Sequence, residues 1–353
     1  MAIAVRGLAF ILACGAALAG ARGAAAASDP FYDGKQLDFV SSSAPGGGYD
    51  AYARLIARHL PRQLPVKAVV VQNMPGAGGI RATQHLFNTA AKTGLVIGMV
   101  TNNVPFTPLY EEKSWGFDAT KFNWLGSPNR ETPIMFVWNT IPVFTIAQAR
   151  ERELILGTTG PTSTAAFYGR LLAAVLGLKI KAVHGYKGQP EALIAMERGE
   201  IEGRAAITYA SVKIGQPDWV KNKKLNFILQ VGLQKEKELP DVPLLIDLAQ
   251  NQDQKDIFGF LSRVSALGRV LLAGPGVPAE RVAALQKAFT ATMNDPDLQS
   301  EAAKSNAELS PMDGETVRKL YLEKLNTDPA VLAKIRTAME PRKEDQVEYQ
   351  EKK

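Results

Sequence analysis

Short apolar runs alternate along the chain with segments whose hydrophobic positions repeat at helical spacing. The first part of this pattern predicts strands at 37–40, 68–71 and 95–100, separated by amphipathic helices at 51–60 and 80–91. Strands that alternate with helices in this order form a parallel sheet with the helices packed on its faces. The pattern therefore predicts a doubly wound α/β layer.

The same alternation then starts again, which predicts a second α/β lobe. Gly177 stands where a helix would end in a left-handed residue, and Pro278 stands in a first turn, where proline is tolerated. Further strands are predicted at 134–138, 154–157, 182–184, 205–209, 227–231 and 270–273, and further helices at 165–176, 191–198 and 279–293.

The first 27 residues have the features of a secretory signal peptide. Arg6 gives a short positive region, an apolar stretch covers 7–21, and the alanines at 24–27 offer A-x-A cleavage sites. A transmembrane anchor is the alternative, but the apolar stretch is too short to cross a bilayer. Cys14 lies in a context that faintly resembles a lipoprotein box, so lipidation there stays open. We expect export to the periplasm.

The composition is that of a globular protein, with 46% hydrophobic and 22% charged residues among 353. The formal net charge of +6 falls to +4 if Arg6 and Arg22 leave with the signal peptide. This mildly basic balance suits a small anionic ligand, and no basic stripe interleaved with aromatic residues suggests nucleic acid. Without Cys14 the exported chain has no cysteine, which excludes disulfides and thiolate zinc sites. The polar segment 342–353 is expected to be a solvated tail.

Glycine-rich turns join predicted strand ends to predicted helix starts at 41–50, 73–79 and 157–164. Glycine lets the backbone approach a ligand closely, and the helix that follows presents unpaired N–H groups that bind a carboxylate or phosphate. In open α/β sheets, ligands bind outside the carboxyl ends of the strands, where these loops lie. Each loop alone is also compatible with a simple structural turn. A fourth turn at 184–190 carries Lys187, either an anion partner or a solvated lysine.

The sequence offers no convincing catalytic, metal or cofactor site. The turns lack G-x-G-x-x-G and G-K-[ST], so they do not indicate nucleotide binding. His59 and His85 lack metal-ligand spacing, and neither H-E-x-x-H nor G-x-S-x-G occurs. Asp50 is expected to cap a helix, pair with Arg54 or accept from loop amides rather than act as a base.

Five motifs, in order along the chain, resemble the extracytoplasmic receptors of the tripartite tricarboxylate transporters, also called the Bug family. The second motif, Asn73 with 75–79, is the most specific of them. The resemblance extends from Asp38 to Asp313. The other motifs are Pro45-Gly46-Gly47-Gly48 with Asp50 and Arg54; Gly157 with Gly160 and Ser163; Tyr186-Lys187-Gly188 with Ala192 and 199–202; and Pro240 and Pro243 with 273–278.

The resemblance implies an α/β fold of the type II periplasmic binding protein class. Each of two lobes would be a mainly parallel sheet flanked by helices, with the ligand cleft between them. Residues 28–128 and 236–353 would form lobe 1, and residues 129–235 would form lobe 2. Hinge closure would complete the site when the ligand binds.

The resemblance also implies a receptor, not an enzyme, without cofactor or metal. It would capture a small organic carboxylate (a di- or tricarboxylate, or an aromatic acid) for membrane transporter subunits, and a monomer is expected. A periplasmic sensor for a membrane kinase and a secreted α/β enzyme are the alternatives. A neighbouring pair of transporter genes would favour transport, and turnover of the ligand would favour the enzyme.

Backbone amides, hydroxyls and ordered waters are expected to hold the carboxylate, without a formal counter-charge. The chain departs from the family at Pro161, at Thr162 and at Tyr49, where a small hydroxyl residue is usual. Tyr49 would either stack on an aromatic acid or turn away and pack. The predicted ligand-binding residues are Ser43, Gly46, Gly47, Gly48 and Tyr49 in lobe 1, and Thr158, Thr159, Ser163, Thr164, Tyr186 and Gly188 in lobe 2.

Overall fold

The computed structural model describes residues 30–111, 114–161, 163–340 and 347–348, which form two six-stranded sheets flanked by helices. The predicted signal peptide and Cys14 lie outside the described residues. The strands are β1 Gln36–Ser41, β2 Ala68–Asn73, β3 Val96–Met99, β4 Asn123–Ser127, β5 Pro133–Trp138, β6 Glu153–Gly157, β7 Lys179–His184, β8 Gly203–Thr208, β9 Leu225–Gln230, β10 Leu271–Ala273, β11 Met312–Asp313 and β12 Val347–Glu348.

The helices cover the sheet faces with the amphipathic stripes that the sequence pattern predicts. In the first of them, Tyr52, Leu55 and Ile56 share one face and join the core of the first sheet. The helices are α1 Gly48–His59, α2 Ile80–Gln84, α3 Thr107–Tyr110, α4 Ile146–Glu151, α5 Thr164–Leu176, α6 Gln189–Glu197, α7 Tyr209–Gly215, α8 Pro217–Lys221, α9 Gln252–Ser265, α10 Ala279–Met293, α11 Pro296–Lys304, α12 Gly314–Leu325 and α13 Pro329–Met339.

Both sheets are mixed. The first has the order β11-β4-β10-β3-β1-β2, and the second has the order β12-β7-β6-β8-β5-β9. In the first sheet β1 runs parallel to β2 and β3, whereas β10 is antiparallel to β3 and β4, and β11 is antiparallel to β4. In the second, β12, β7, β6 and β8 run parallel, and β5 is antiparallel to β8 and β9.

The two-lobed α/β prediction is confirmed, but "mainly parallel" describes only the second sheet. In the first sheet β10 and β11 run opposite to β1, β2, β3 and β4, and β10 lies where the chain returns from the second sheet. An apolar run shows that a strand is buried, but it does not show the strand's direction. Most of the expected tail lies outside the described residues, and its described part, β12, pairs in parallel with β7.

The division into lobes agrees with the strands and is less simple for the helices. The first sheet draws its strands from 36–127 and 271–313, and the second draws most of its strands from 133–230. However, α13, from the segment expected in lobe 1, packs against α5. The limits of the two lobes therefore stay a prediction.

The topology directs several strand ends towards one place. The carboxyl ends of β1, β2 and β3 lie at one edge of the first sheet, and those of β6, β7 and β8 lie at one edge of the second. Four of the loops that follow lead into α1, α5, α6 and α7. The loops predicted to bind the ligand therefore begin at these two edges.

Candidate functional site

A cavity of about 440 Å³ lies between the two sheets, where loops from both of them meet. Seven of the eleven predicted binding residues line it. Their contact with a ligand stays a prediction, but the structure brings them together around one space. They are Ser43, Tyr49, Thr159, Ser163, Thr164, Tyr186 and Gly188.

The other four predicted residues, Gly46, Gly47, Gly48 and Thr158, are not among the lining residues of this cavity. The Oγ1 atom of Thr158 lies 2.6 Å from Nδ1 of His184, and this contact ties the ends of β6 and β7 together. Gly46 and Gly47 lie in the turn before α1 and Gly48 is the first residue of α1. Gly46 has a φ of +76°, a conformation that favours glycine. These four residues therefore shape the loops behind the cavity wall.

Helices α5 and α6 begin at the cavity, so the positive ends of their dipoles lie at its wall. Ser163 and Thr164 line the cavity at the start of α5, and Oγ of Ser163 accepts from the backbone N–H of Ala166 at 3.3 Å. Gly188 precedes α6 and supplies no side-chain cap. The first N–H groups of a helix have no partner within the helix, so these starts favour an anion.

The two lobes approach each other closely around the cavity. Thr164 Oγ1 donates to Oδ1 of Asn103 across the cleft at 2.8 Å. A Cβ atom added at Gly48 would lie 2.0 Å from Oγ of Ser211, and one added at Gly188 would lie 2.6 Å from the Cβ of Ala44. Small residues therefore allow the loops of one sheet to touch those of the other.

A buried ion pair that the sequence analysis missed underlies the first-lobe wall. Nη2 of Arg269 lies 3.1 Å from Oε1 of Glu131, and both side chains are almost completely buried. The Tyr49 hydroxyl donates to Oε2 of Glu131 at 2.9 Å, and Asn102 donates to the same oxygen at 2.8 Å. The Tyr49 ring lines the cavity while its hydroxyl is held by Glu131.

Burial and the ion pair act on Glu131 in opposite directions. Removal from water raises the pKa of the Glu131 carboxyl above its usual range, and the charge of Arg269 lowers it. Arg269 also donates to the hydroxyls of Thr208 and Ser211 at 2.8 and 2.7 Å, so the pair joins strand ends of the two sheets.

Arg204 is a third charged residue that the sequence analysis missed. It lies in β8, is 5% exposed and lines the cavity. Burial lowers the pKa of its guanidinium to about 10, so it stays protonated at neutral pH. The sequence held a signal, since Arg204, Glu131 and Arg269 each stand within or next to an apolar strand run, where an ionised side chain needs an explanation.

A family model described as "Tripartite tricarboxylate transporter family receptor" matches residues 52–337, which is most of the chain. The chain belongs to this receptor family. The curated relative "UPF0065 protein in gbd 5'region" of Cupriavidus necator is 25% identical over 308 residues, which cover 85% of this chain and 88% of the relative.

Solved structures of receptors share the fold of this chain. The periplasmic binding protein BugD superposes with a TM-score of 0.69 at 20% identity, covering 87% of this chain and 98% of BugD. MatC from Rhodopseudomonas palustris, solved with bound malate, superposes with a TM-score of 0.67 at 16% identity, covering 87% of this chain and 99% of MatC. An R. palustris protein solved with adipate superposes with a TM-score of 0.66 at 19% identity, covering 86% of this chain and 97% of that protein.

In this receptor, Asp50 links the first two motifs of the family resemblance. Its carboxylate accepts from the N–H of Gly46 at 2.9 Å, from Nε of Arg54 at 3.0 Å and from Nδ2 of Asn73 at 2.8 Å. Burial alone would raise the pKa of Asp50, but these hydrogen bonds outweigh it and the pKa is lowered. Pairing with Arg54 and with a loop amide, as predicted from the sequence, is confirmed.

Across 30–111, 114–161 and 163–340, no three His, Cys, Asp or Glu side chains are grouped so that they could hold a metal ion. The same part of the chain contains no helix with the length and apolar character needed to span a membrane.

Proposed function

We propose that this receptor captures a small organic carboxylate in the periplasm and presents it to the membrane subunits of a tripartite transporter. The observation that carries the proposal is the cavity between the lobes, where the starts of α5 and α6 meet hydroxyl and amide groups. Such a wall suits an anion because helix N-termini and neutral donors stabilise negative charge.

Two relatives support the choice of a carboxylate. MatC was solved with bound malate and another R. palustris protein with adipate, and both have the fold of this chain. Malate and adipate are both dicarboxylates. The positive formal net charge, +6 for the full sequence and +4 without Arg6 and Arg22, also favours the encounter with an anion.

Thermal unfolding against a panel of acids tests the proposal. Malate, succinate, adipate, citrate and benzoate are each added to the purified protein, with chloride and sulfate as controls. A ligand at a hundred times its dissociation constant stabilises the folded state by about 2.7 kcal/mol, which raises the melting temperature by several degrees.

A shift with one or two acids supports the proposal and names the ligand class. Stabilisation by sulfate alone would indicate general salt exclusion. No shift with any acid would contradict the proposal that a carboxylate is the ligand.

A further inference from the structure

Strand register sets the direction of the Arg204 side chain. In the antiparallel pairing of β8 with β5, Arg204 stands opposite Phe136 and Ile207 stands opposite Ile134, with a register shift between the two pairs. Residues directly opposite each other share a face of the sheet, and Ile134 and Phe136 belong to one apolar cluster. Arg204 and Ile207 therefore share this face although they are three residues apart. Such irregularities re-aim side chains near binding sites.

Arg204 lines the cavity, and no described carboxylate serves as its counter-charge. It lines the cavity together with Ile207 and Tyr186, and the side chains of Ile207 and Tyr186 belong to the same apolar cluster. Among the described residues, Nε and Nη1 of Arg204 have no hydrogen-bond partner, and no carboxylate forms an ion pair with it. An isolated buried charge is costly, so its partner has to come from outside the fold.

Arg269 provides an internal comparison. It is buried too, and its Nε and Nη1 likewise have no hydrogen-bond partner among the described residues. However, Glu131 lies 3.1 Å from its Nη2, and the hydroxyls of Thr208 and Ser211 accept from that atom. Its guanidinium carbon also lies 4.2 Å from the ring centroid of Tyr52. The fold thus supplies partners to one buried arginine and leaves the other facing an open cavity.

We propose that Arg204 is the counter-charge that binds a carboxylate group of the ligand. The inference rests on the proposed carboxylate-receptor function and adds a charged anchor to the neutral donors of the loops. A planar guanidinium offers parallel N–H groups that match the two oxygens of a carboxylate. Arg204 would therefore distinguish an ionised acid from a neutral molecule of the same shape.

Binding measurements on matched ligands and variants test this role. Calorimetry is used to compare the best acid of the panel, for example adipate, with its uncharged diamide. The variants are Arg204→Gln, Arg204→Lys and, as a control with the same change of charge, Arg198→Gln on the exposed end of α6. We expect Arg204→Gln to weaken acid binding by about 10- to 150-fold, the range for one hydrogen bond to a charged group.

The diamide separates a charge contact from a structural role. Its affinity is expected to stay within about twofold in Arg204→Gln, because the lost interaction requires a carboxylate. Arg204→Lys should recover part of the loss for the acid, and Arg198→Gln should match wild type. Equal losses for acid and diamide would overturn the proposal, and so would unchanged acid binding in Arg204→Gln.

The unliganded protein gives a second readout. Arg204→Met removes a buried charge that has no partner, so we expect its melting temperature without ligand to equal or exceed that of wild type while acid binding falls. A marked fall in the melting temperature would assign Arg204 a structural role and overturn the proposal. If wild type binds no acid at all, the carboxylate function itself fails; if wild type binds and Arg204→Gln binds equally well, only the role of Arg204 fails.

Discussion

The surroundings of a charged residue decide what that residue can do, as two positions near the cleft illustrate. Glu131 receives hydrogen bonds from Tyr49 and Asn102 and faces Arg269, so its charge is matched within the protein. Among the described residues, Arg204 has no carboxylate partner and no acceptor for its Nε and Nη1, and it lines the cavity. At the scale of single residues, the first arrangement serves the fold, and we assign the second to the ligand.

Removing the charge of Glu131 tests the first of these roles. Glu131→Gln leaves Arg269 buried without its counter-ion, and we expect a loss of about 3–5 kcal/mol in the free energy of unfolding, measured with denaturant. Glu238→Gln is the matched control, because Glu238 is half exposed and its pair with Lys213 should contribute less than about 1 kcal/mol. Similar losses in the two variants would contradict a structural role for the buried pair.

At the scale of elements, one carboxylate holds the turn before α1 to the end of β2. Asp50 accepts from Gly46 within the turn and from Asn73 at the end of the strand, and Asn73 also donates to the carbonyl of Ser43 at 2.9 Å. The Asp50 N–H in turn donates to Oγ of Ser43 at 3.0 Å. The wall of the cavity on this side therefore depends on the ionised state of Asp50.

The stability that Asp50 provides should depend on pH. Its pKa is lowered in the folded protein, so its contribution is complete above the unfolded pKa of about 3.9 and is lost as the pH falls through the folded value. We expect Asp50→Asn to cost about 1–3 kcal/mol at pH 7 and progressively less below about pH 4. Denaturant unfolding at several pH values measures this, with Asp33→Asn at an exposed position as control. A loss that stays constant down to pH 2 would argue against the ionised network.

The elements and the loops were predictable from the sequence because their signals are local. Apolar runs marked β1 and β6, and the glycines before α1 marked a turn that the structure contains. Strand direction was not predictable, since β10 becomes antiparallel only through pairing with β3 and β4, which are distant in sequence. Arg204 stands beside an apolar run in the sequence, but its lack of a carboxylate partner among the described residues is apparent only once β5 and β8 are paired.

At the scale of the whole molecule, the cavity exists because two lobes touch through small residues. Arg269 stands just before β10, by which the chain returns to the first sheet, and it donates to Thr208 at the end of β8 and to Ser211 in α7. The turn before α1 passes so near to Ser211 that only glycine fits at position 48. Contact between the lobes at this point and the shape of the cavity are therefore linked.

Gly48→Ala tests whether this contact controls closure. The added methyl group would lie 2.0 Å from Oγ and 2.9 Å from Cβ of Ser211, so the lobes must separate to accommodate it. A shift of about 1.4 kcal/mol against the closed form weakens ligand binding by about tenfold. Calorimetry measures this affinity. In the presence of ligand, small-angle scattering should show a larger radius of gyration for Gly48→Ala than for wild type.

Two further variants separate closure from general damage to the fold. Gly215→Ala adds the same methyl group where nothing lies within 4 Å, so we expect wild-type binding. Ser211→Gly, combined with Gly48→Ala, removes the overlapping atoms and should restore part of the affinity, although it also removes one acceptor of Arg269. If Gly48→Ala alone keeps both the affinity and the compact liganded shape of wild type, the lobes do not close through this contact. Ligand binding would then depend on the loops of each lobe and not on how closely the two sheets approach.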